Sequence, residues 1–541
     1  MVRVVRVVTA AAGVFAPGHL GELTPLVPFE LVDDLLVQIG TVQQRLRDLP
    51  SRVGVYFVLA LGLFPGLGYL RVWAKLTAGL AGAEGVAAPS EKALRDLRRR
   101  LGPAPLKALF EVLAGPLAWP YAPGVRFGGL RTVAFDGCSS TRVRDSDRNR
   151  AWLGRVRHRL GFAGYPLVHL MTLAETGTRG LLGAVAAAAG GGDETALASQ
   201  LLHLLSAGML VLMDRGFDAG EFLASVAATG ADFLVRAKAS RSPLVLEVLP
   251  DGSWITEISG LRVRIIEAAV AVTGADGSRC GDDYRLITTL LDWRRHPAGR
   301  LVHLYHERWE IESAYYALRH TLLQGRVLRS QDQPGLEQEI WGLLALYQLL
   351  RMAMTDAAAA IPGADPDRAS FTTALETARD QVTAAQGITS ADQPGVIARA
   401  VQATLLPARR PRYSARKVKN STSRYPGRDD DPRPALPQVI TKVEITIILP
   451  PSPGTRSRPA ARKPRSPSRS TRRHQVTALM AASPGQPWTA AELAARLALP
   501  ARDLLTQLGR WARAGLLTRA GPATYTLTPP PQTPHTPLRP P

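Results

Sequence analysis

Two aspartates each follow a short apolar run, Asp136 in "VAFDG" and Asp214 in "VLMDRG". An aspartate in that position stands at the edge of a sheet, where a carboxylate meets solvent and can meet a cation. In open sheets ligands bind at this edge. One such residue is an ordinary loop cap; two in one domain carry more weight. A further cluster lies in "LYHERWEIESAYYALRHTLL", residues 304–323, with three glutamates, two arginines, two histidines and three tyrosines, more reactive groups than a solvated helix face needs. On an α-helix with Tyr305 set at zero, Arg308 falls near about 300°, Glu312 near about 340° and Arg319 near about 320°. Those four make one stripe, and Leu304, Ile311, Tyr315, Leu318 and Leu322 make an adjoining apolar face. Glu307 and Glu310 fall elsewhere and read as solvated, or as partners for nearby arginines. Two carboxylates at strand ends and one on a helix packed beside them can hold two hard divalent cations. Such a pair of metals activates a water or 3′-hydroxyl and stabilises the leaving oxygen. Arg308 and Arg319 can clamp phosphate, and Tyr305 can hydrogen-bond a phosphate or stack on a base. A histidine metal site is the weaker reading, because His303 and His306 have no third ligand at suitable spacing.

These residues need a sheet and a helix to position them, and the order of patterns along the chain supplies both. From about 128 to 355 apolar strands ("LRTVAFDG", "YPLVHLMTLAE", "GMLVLMDRGF", "ADFLVRAKA") alternate with helices ending or running through 199–206 and 217–228. That alternation implies an α/β domain with a mainly parallel or mixed sheet covered on its faces. The first and third strands are expected to stop at Asp136 and Asp214. A stretch from about 241 to 291 lacks helical periodicity and reads as a β-rich insertion before the helix at 304.

On the N-terminal side, residues 20–115 are helical by pattern, including the apolar run "VGVYFVLALGLF" (Val53–Phe64), with Ser90 placed to cap "EKALRDLRRRLG". The basic strip "RDLRRR" is either a phosphate contact or a solvated face. Residues 408–475 include "RSRPAARKPRSPSRSTRR", Arg456–Arg473, which has no acids and reads as a largely disordered basic linker that binds phosphate without sequence preference. "QVITKVEITIILP" before it reads as a strand pair or an edge strand. Residues 474–528 hold three helical segments and a hairpin, with Thr489 and Glu492 as a capping box and Pro500 opening the third helix. The spacing is that of a winged helix-turn-helix, a DNA-reading unit whose third helix is the recognition element.

Composition narrows the function classes. The 541 residues carry a formal net charge of +21, which points to a polyanionic partner, and the charge is not confined to tails. Two cysteines, Cys138 and Cys280, exclude a disulfide framework and a four-thiolate zinc site. The longest apolar run is too short to span a bilayer. The first sixteen residues faintly imitate a signal peptide, but Arg6 interrupts the apolar stretch, so a frayed tail is the preferred reading. A reducing bacterial cytoplasm, in association with the nucleoid, fits this usage.

The motifs together resemble a known family. Tyr305, Arg308, Glu312 and Arg319 match the signature Y-(2)-R-(3)-E-(6)-K, with arginine in the last place; "DRGF" resembles the second aspartate motif, and "DG" followed by "DSDRNRAWLG" the first. They are similar to DDE transposases of the insertion-sequence-four family, and "LPSRVGVYFVLALGLFPGLGYLRVWAKL" resembles that family's N-terminal domain. The resemblance covers roughly residues 20–355. It implies an RNase H-like catalytic core with a β insertion between Asp214 and Glu312, and an Asp136–Asp214–Glu312 triad holding two Mg2+ ions, with Mn2+ able to substitute. It further implies cleavage at element ends, strand transfer into target DNA, double-stranded DNA partners (terminal inverted repeats and target) and a homodimer in the synaptic complex. Related enzymes pass through a hairpin, and Trp254 or Trp293 is then a candidate to stack on a flipped base, against core packing as the plainer reading. Arg319 keeps positive charge but replaces a point charge by a planar fork. Two other readings stay open: a structure-specific nuclease on the same core, and an inactive transposase that persists as a DNA-binding protein.

Overall fold

The computed structural model describes residues 20–43, 49–78, 88–154, 157–158, 161–162, 164–188, 193–238, 240–275, 277, 279–305, 310–384, 395–407, 440–457, 469–483, 485–497 and 501–528. The expected frayed tail, most of the expected basic linker (408–439 and 458–468) and Pro500 lie outside the described residues. The chain divides into two compact units, residues 1–458 and 459–541.

The first unit opens with five helices: α1 (Phe29–Ile39), α2 (Ser51–Leu63), α3 (Tyr69–Leu76), α4 (Glu91–Leu101) and α5 (Ala104–Leu113). The apolar run expected to be a buried helix is α2, covered on almost every side. The Ser90 hydroxyl accepts from the Ala93 amide at 3.1 Å and starts α4.

The strands then build one mixed sheet. In chain order they are β1 (Arg126–Phe127), β2 (Leu130–Arg142), the detached hairpin β3 (Arg157–His158) and β4 (Gly161–Phe162), β5 (Leu167–Glu175), β6 (Leu181–Ala188), β7 (Met209–Met213), β8 (Asp232–Arg236), β9 (Glu247–Val248), β10 (Trp254–Ile258), β11 (Leu261–Gly274) and β12 (Arg279–Thr288). Helix α6 (Asp147–Leu153) follows β2, α7 (Glu194–Ser199) follows β6, and α8 (Gly220–Ala228) joins β7 to β8. The sheet runs β6-β5-β2-β7-β8-β12-β11-β10-β9. Strands β2, β5 and β6 pair antiparallel, whereas β7 and β8 lie parallel to β2. Numbering these five strands by chain order gives 3-2-1-4-5, the arrangement of an RNase H-like core. The insertion is not a separate body. It continues the same sheet through the β8–β12 pair, and a late strand, β13 (Ile440–Ile447), returns to pair with β11.

Two expectations are corrected here, and one strand is added to them. Strand β2 does not stop at Asp136 but runs on to Arg142, because beyond the end of β7 it remains paired with β5. Strand β6 was not anticipated. Its "LLGAVAAA" has weak strand propensity, and pairing with β5 overrides it. The helix expected near 199–206 is α7, which ends at Ser199, followed by a single 3-10 turn at Leu202–Leu204.

Strand alternation sends side chains to two cores. Ala134, Leu210, Leu212, Leu234 and Ile266 face one side. That side is covered by α9 (Ala298–Tyr305), α10 (Glu310–Tyr316) and the long α11 (Gln333–Ala359). Val133, Phe135, Val211, Met213 and Val235 face the other, against α7 and α8. Helices α12 (Phe371–Ala384) and α13 (Val396–Ala403) complete the first unit. Helix α11 binds the N-terminal helices to the sheet. A Cβ at Gly342 would lie 2.7 Å from Val58 of α2, so the two helices cross at a distance only glycine permits. The Gln348 amide accepts from the Leu181 amide at 2.8 Å and donates to the Leu113 carbonyl at 3.1 Å, joining β6 to α5. The basic strip of α4 supplies another tie. Arg98 is buried, with Nε donating to Gln338 at 2.8 Å and Nη2 reaching Glu339 at 3.3 Å, so this arginine is a rivet rather than a phosphate contact.

The second unit comprises α14 (Arg469–Ala481), β14 (Trp488–Thr489), α15 (Ala490–Arg496), α16 (Ala501–Arg513), β15 (Leu517–Gly521) and β16 (Thr524–Leu527). The strands form a small antiparallel sheet ordered β14-β16-β15. Val476, Leu493, Leu504, Leu508 and Tyr525 fill a core of its own. Thr489 and Glu492 make the expected capping box at 3.2 and 2.8 Å. Three helices and a β hairpin in this order are a winged helix-turn-helix.

Candidate active site

Asp136 and Asp214 are brought side by side by strand register. In the parallel pair β2–β7, Ala134 lies opposite Leu212, so the two aspartates sit two residues further on at the same level. They share the parity of Ala134 and Leu212, which face α10 and α11. Both are partly exposed. Each carboxylate accepts one nearby amide: Gly137 N–H to Asp136 Oδ1 at 3.0 Å, and Gly216 N–H to Asp214 Oδ1 at 2.6 Å.

Helix α10 is pinned to this spot by Tyr315. Its hydroxyl donates to the Asp136 carbonyl at 2.7 Å and lies 2.9 Å from the Thr172 hydroxyl, while Asp136 and Thr172 are register partners in β2–β5. Burial pushes the Tyr315 hydroxyl well above its ordinary range, and the nearby Asp136 charge adds to this, so it stays a protonated donor. Position 312 is three residues before Tyr315, hence on the same side of the helix one turn earlier. The side chain of Glu312 lies outside the described residues, as do Arg308, Glu307 and His306.

The described part of the 304–323 segment is the end of α9, then α10, and after Tyr316 it leaves α-helical geometry for a π turn over residues 317–322, with the Leu323 amide donating to the Leu318 carbonyl at 3.0 Å. The uniform stripe drawn through Tyr305, Arg308, Glu312 and Arg319 therefore does not carry through to Arg319, since a π turn advances less per residue than an α turn. Leu304, Tyr315, Leu318 and Leu322 are buried as expected. Tyr305 is buried too, only 3% exposed, with its ring edge-on to Tyr284 at 5.9 Å; the structure uses it for packing instead of presenting it to a nucleic acid. Arg319 is half-exposed, and its charge with that of Arg142 is felt at His320. Burial, helped by both arginines, holds His320 below its ordinary range. Trp254 is fully buried and is a core residue, whereas Trp293 is half-exposed beside the Arg294 guanidinium. The "DSDRNRAWLG" motif is structural in part: Asn149 Nδ2 donates to the Arg144 carbonyl at 2.8 Å and the Ser330 carbonyl at 3.0 Å.

The chain matches two family descriptions, "Insertion element 4 transposase N-terminal" over residues 17–111 and "Transposase DDE domain" over residues 131–349. It is 29% identical over 414 residues to "Transposase InsG for insertion sequence element IS4" of Escherichia coli (strain K12), across 73% of this chain and 91% of the relative. The chain belongs to the insertion-element-4 family of DDE transposases. A solved piggyBac transposase synaptic complex with hairpin DNA overlays 74% of this transposase and 88% of that chain, with a TM-score of 0.38 and 10% identity. Among the described residues no helix is long and apolar enough to cross a membrane.

Sequence reasoning missed two side chains of this transposase that lie, on the opposite face of the sheet, against the glycines next to the aspartates. Gly137 has the parity of Phe135, toward α7, and a Cβ there would lie 3.0 Å from Glu194 Oε1 and 3.2 Å from His169 Nε2. Glu194 Oε2 is likewise 3.1 Å from where a Cβ of Gly216 would stand. The Glu194 carboxylate thus fills the space that two glycines leave, one beside each aspartate. His169 is buried, its Nε2 has no partner among the described residues, and desolvation holds it below its ordinary pKa. The signal for both was present in the glycines that follow Asp136 and lie two past Asp214, but only a three-dimensional neighbour gives it meaning. Among the described residues no group of three histidine, cysteine or carboxylate side chains is assembled as a metal cage.

Proposed function

We propose that this transposase cuts duplex DNA at the ends of an insertion element and joins the freed 3′ ends to target DNA, with Asp136, Asp214 and Glu312 as its acidic triad. The observation that carries the reading is the equal register of Asp136 and Asp214 on two adjacent parallel strands, facing the helix that Tyr315 anchors one turn after position 312. Partly exposed oxygen donors at one sheet edge suit hard divalent cations that keep waters and phosphate oxygens in their shell. When bound, two Mg2+ ions, or Mn2+ in their place, supply activation of the attacking hydroxyl and neutralisation of charge on the leaving oxygen.

The chain's own groups do the rest. Asp136 and Asp214 hold their carboxylates level, each steadied by one backbone amide. Glu312 is the third carboxylate of the proposed triad, and Arg308 and Arg319 are proposed to grip the phosphates flanking the scissile bond, Arg319 with a planar fork in place of the ammonium expected there. Tyr305 supports this helix by packing on Tyr284. Trp293 is the tryptophan of the insertion left to stack on an extruded base in a hairpin-forming route. Two element ends must be cut together, so two copies act as a pair.

The test is cleavage of labelled DNA carrying the element's own ends, with magnesium, by wild type, Asp214→Ala, Glu312→Gln and Glu307→Gln. Nicking at the ends that disappears in Asp214→Ala and Glu312→Gln and persists in Glu307→Gln is expected. Cleavage lost in Glu307→Gln but kept in Glu312→Gln would overturn the triad. Binding without cleavage by wild type in magnesium or manganese would leave a DNA-binding relic.

A further inference from the structure

Neither family match reaches the second unit: they end at residues 111 and 349, and the winged helix begins beyond 458. This unit is, for its length, the more basic of the two. Residues 459–541 contain twelve Lys and Arg against two Asp and Glu, a net of +10 out of the +21 of the whole chain, in 83 of 541 residues. One of the two acids, Glu492, is spent in the capping box, where its carboxylate accepts from the Thr489 amide and hydroxyl at 2.8 Å each.

Helix α16 divides cleanly by face. Leu504 and Leu508 enter the core. Thr506, Arg510 and Arg513 are spaced i, i+4, i+7, which puts them on one stripe, and all three are exposed. Arg519 is exposed on β15, the strand that follows α16. Among the described residues none of these three arginines forms an ion pair with a carboxylate. A protein-binding face has an apolar or aromatic centre; this stripe has none, and the nearest exposed leucine, Leu505, is only 40% exposed to one side. Arginine forks at successive turns of an outward helix are what the edges of guanine in a major groove accept, and a second helix crossing behind is the arrangement that sets such a helix in the groove.

We propose that the unit described over residues 469–528 is a second duplex-DNA-reading module of this transposase, with Thr506, Arg510 and Arg513 of α16 in the major groove and Arg519 of the hairpin on an adjacent phosphate. The family's core and N-terminal domain do not contain it, so it adds contacts that the matched segments lack. The inference rests on the DNA-acting role above only for the choice of probe.

The experiment uses the full chain without divalent metal, so that no strand is cut. Affinity for a duplex carrying the element's end, and for an unrelated duplex of the same length, is measured by fluorescence anisotropy across a salt series, with hydroxyl-radical footprints on the first. Arg510→Ala/Arg513→Ala is expected to bind the end duplex about tenfold or more weakly. Its footprint loses one protected block and keeps the rest. Arg519→Ala is expected to weaken both duplexes by a similar, smaller factor and to flatten the salt slope by about one. Both substitutions are on exposed positions, and an unchanged circular dichroism spectrum checks the fold. Unchanged affinity, slope and footprint in both variants would overturn the proposal. Failure of the acidic triad would instead appear as absent cleavage with this binding intact.

Discussion

Replacing Tyr315 by Phe removes one oxygen and nothing else, which makes it a sharp probe of how the site is held. The hydroxyl is fully enclosed and sits 2.7 Å from the Asp136 carbonyl, 2.9 Å from the Thr172 hydroxyl and 3.3 Å from the Leu170 carbonyl. Phenylalanine fills the ring volume, so no cavity term arises. The loss is the hydrogen bond plus the penalty for buried oxygens left without a donor, about 1–3 kcal/mol. The lower end is expected because the Thr172 hydroxyl can turn to donate. A loss of that size lowers the unfolding midpoint by a few degrees at most in a unit this large, and leaves the chain folded at 25 °C. Cleavage should fall much further. The hydroxyl fixes α10 to the strand that carries Asp136, and a displacement of about 1 Å at a reacting group costs about a hundredfold. The control is Tyr56→Phe, which deletes an equally buried hydroxyl bonded to the Val27 carbonyl at 2.5 Å inside the helical domain. Thermal unfolding and single-turnover cleavage are measured for both. The reasoning predicts similar destabilisation in the two variants and a cleavage defect in Tyr315→Phe alone. Wild-type cleavage by a Tyr315→Phe protein destabilised as much as the control would refute it.

Other expected outcomes are as direct. Gly137→Ala places a methyl 3.0 Å from Glu194 Oε1 and 3.2 Å from His169 Nε2; stability should drop by about 1 kcal/mol, while cleavage falls about tenfold or more as the strand carrying Asp136 shifts to relieve the contact, read by the same two assays. Arg98→Ala removes a buried guanidinium that pairs with Glu339 and bonds Gln338, and should destabilise by about 3 kcal/mol, lowering the denaturation midpoint without altering the pH dependence of cleavage. His169 and His296 are both held below the ordinary histidine pKa, chiefly by desolvation. Both are therefore neutral in the fold and charge more readily when unfolded, so stability is full above about pH 6.5 and declines as pH falls below it toward their folded values. Unfolding midpoints between pH 7.5 and 5 should show this decline, and His169→Gln/His296→Gln should flatten it.

Much of the site was legible because its parts are local patterns. Asp136 and Asp214 each end or punctuate an apolar run, and a run of that kind is a buried strand whatever surrounds it. The acidic and basic positions of the 304–323 segment were visible as spacing. What could not be read there was the break in that spacing: the π turn at 317–322 depends on how the helix end packs, not on its composition. Tyr305 illustrates the same limit, since its spacing matched a DNA-contact signature while its ring is buried against Tyr284. Arg98 reads as one of a run of solvated arginines until Gln338 and Glu339, some 240 residues later, close around it.

The sequence by itself determined that this chain has an α/β core with acidic strand ends, a helical domain before it and a basic winged helix after it, because hydrophobic period, caps and charge act over a few residues. Tertiary structure alone decided the register that sets Asp136 level with Asp214, the return of β13 to the insertion, the anchoring of α10 by Tyr315 and the packing of Glu194 and His169 against Gly137. The physical reason is that these are contacts between residues far apart in the chain. Each exists only because sheet pairing fixes both partners at once, and no window of sequence contains both.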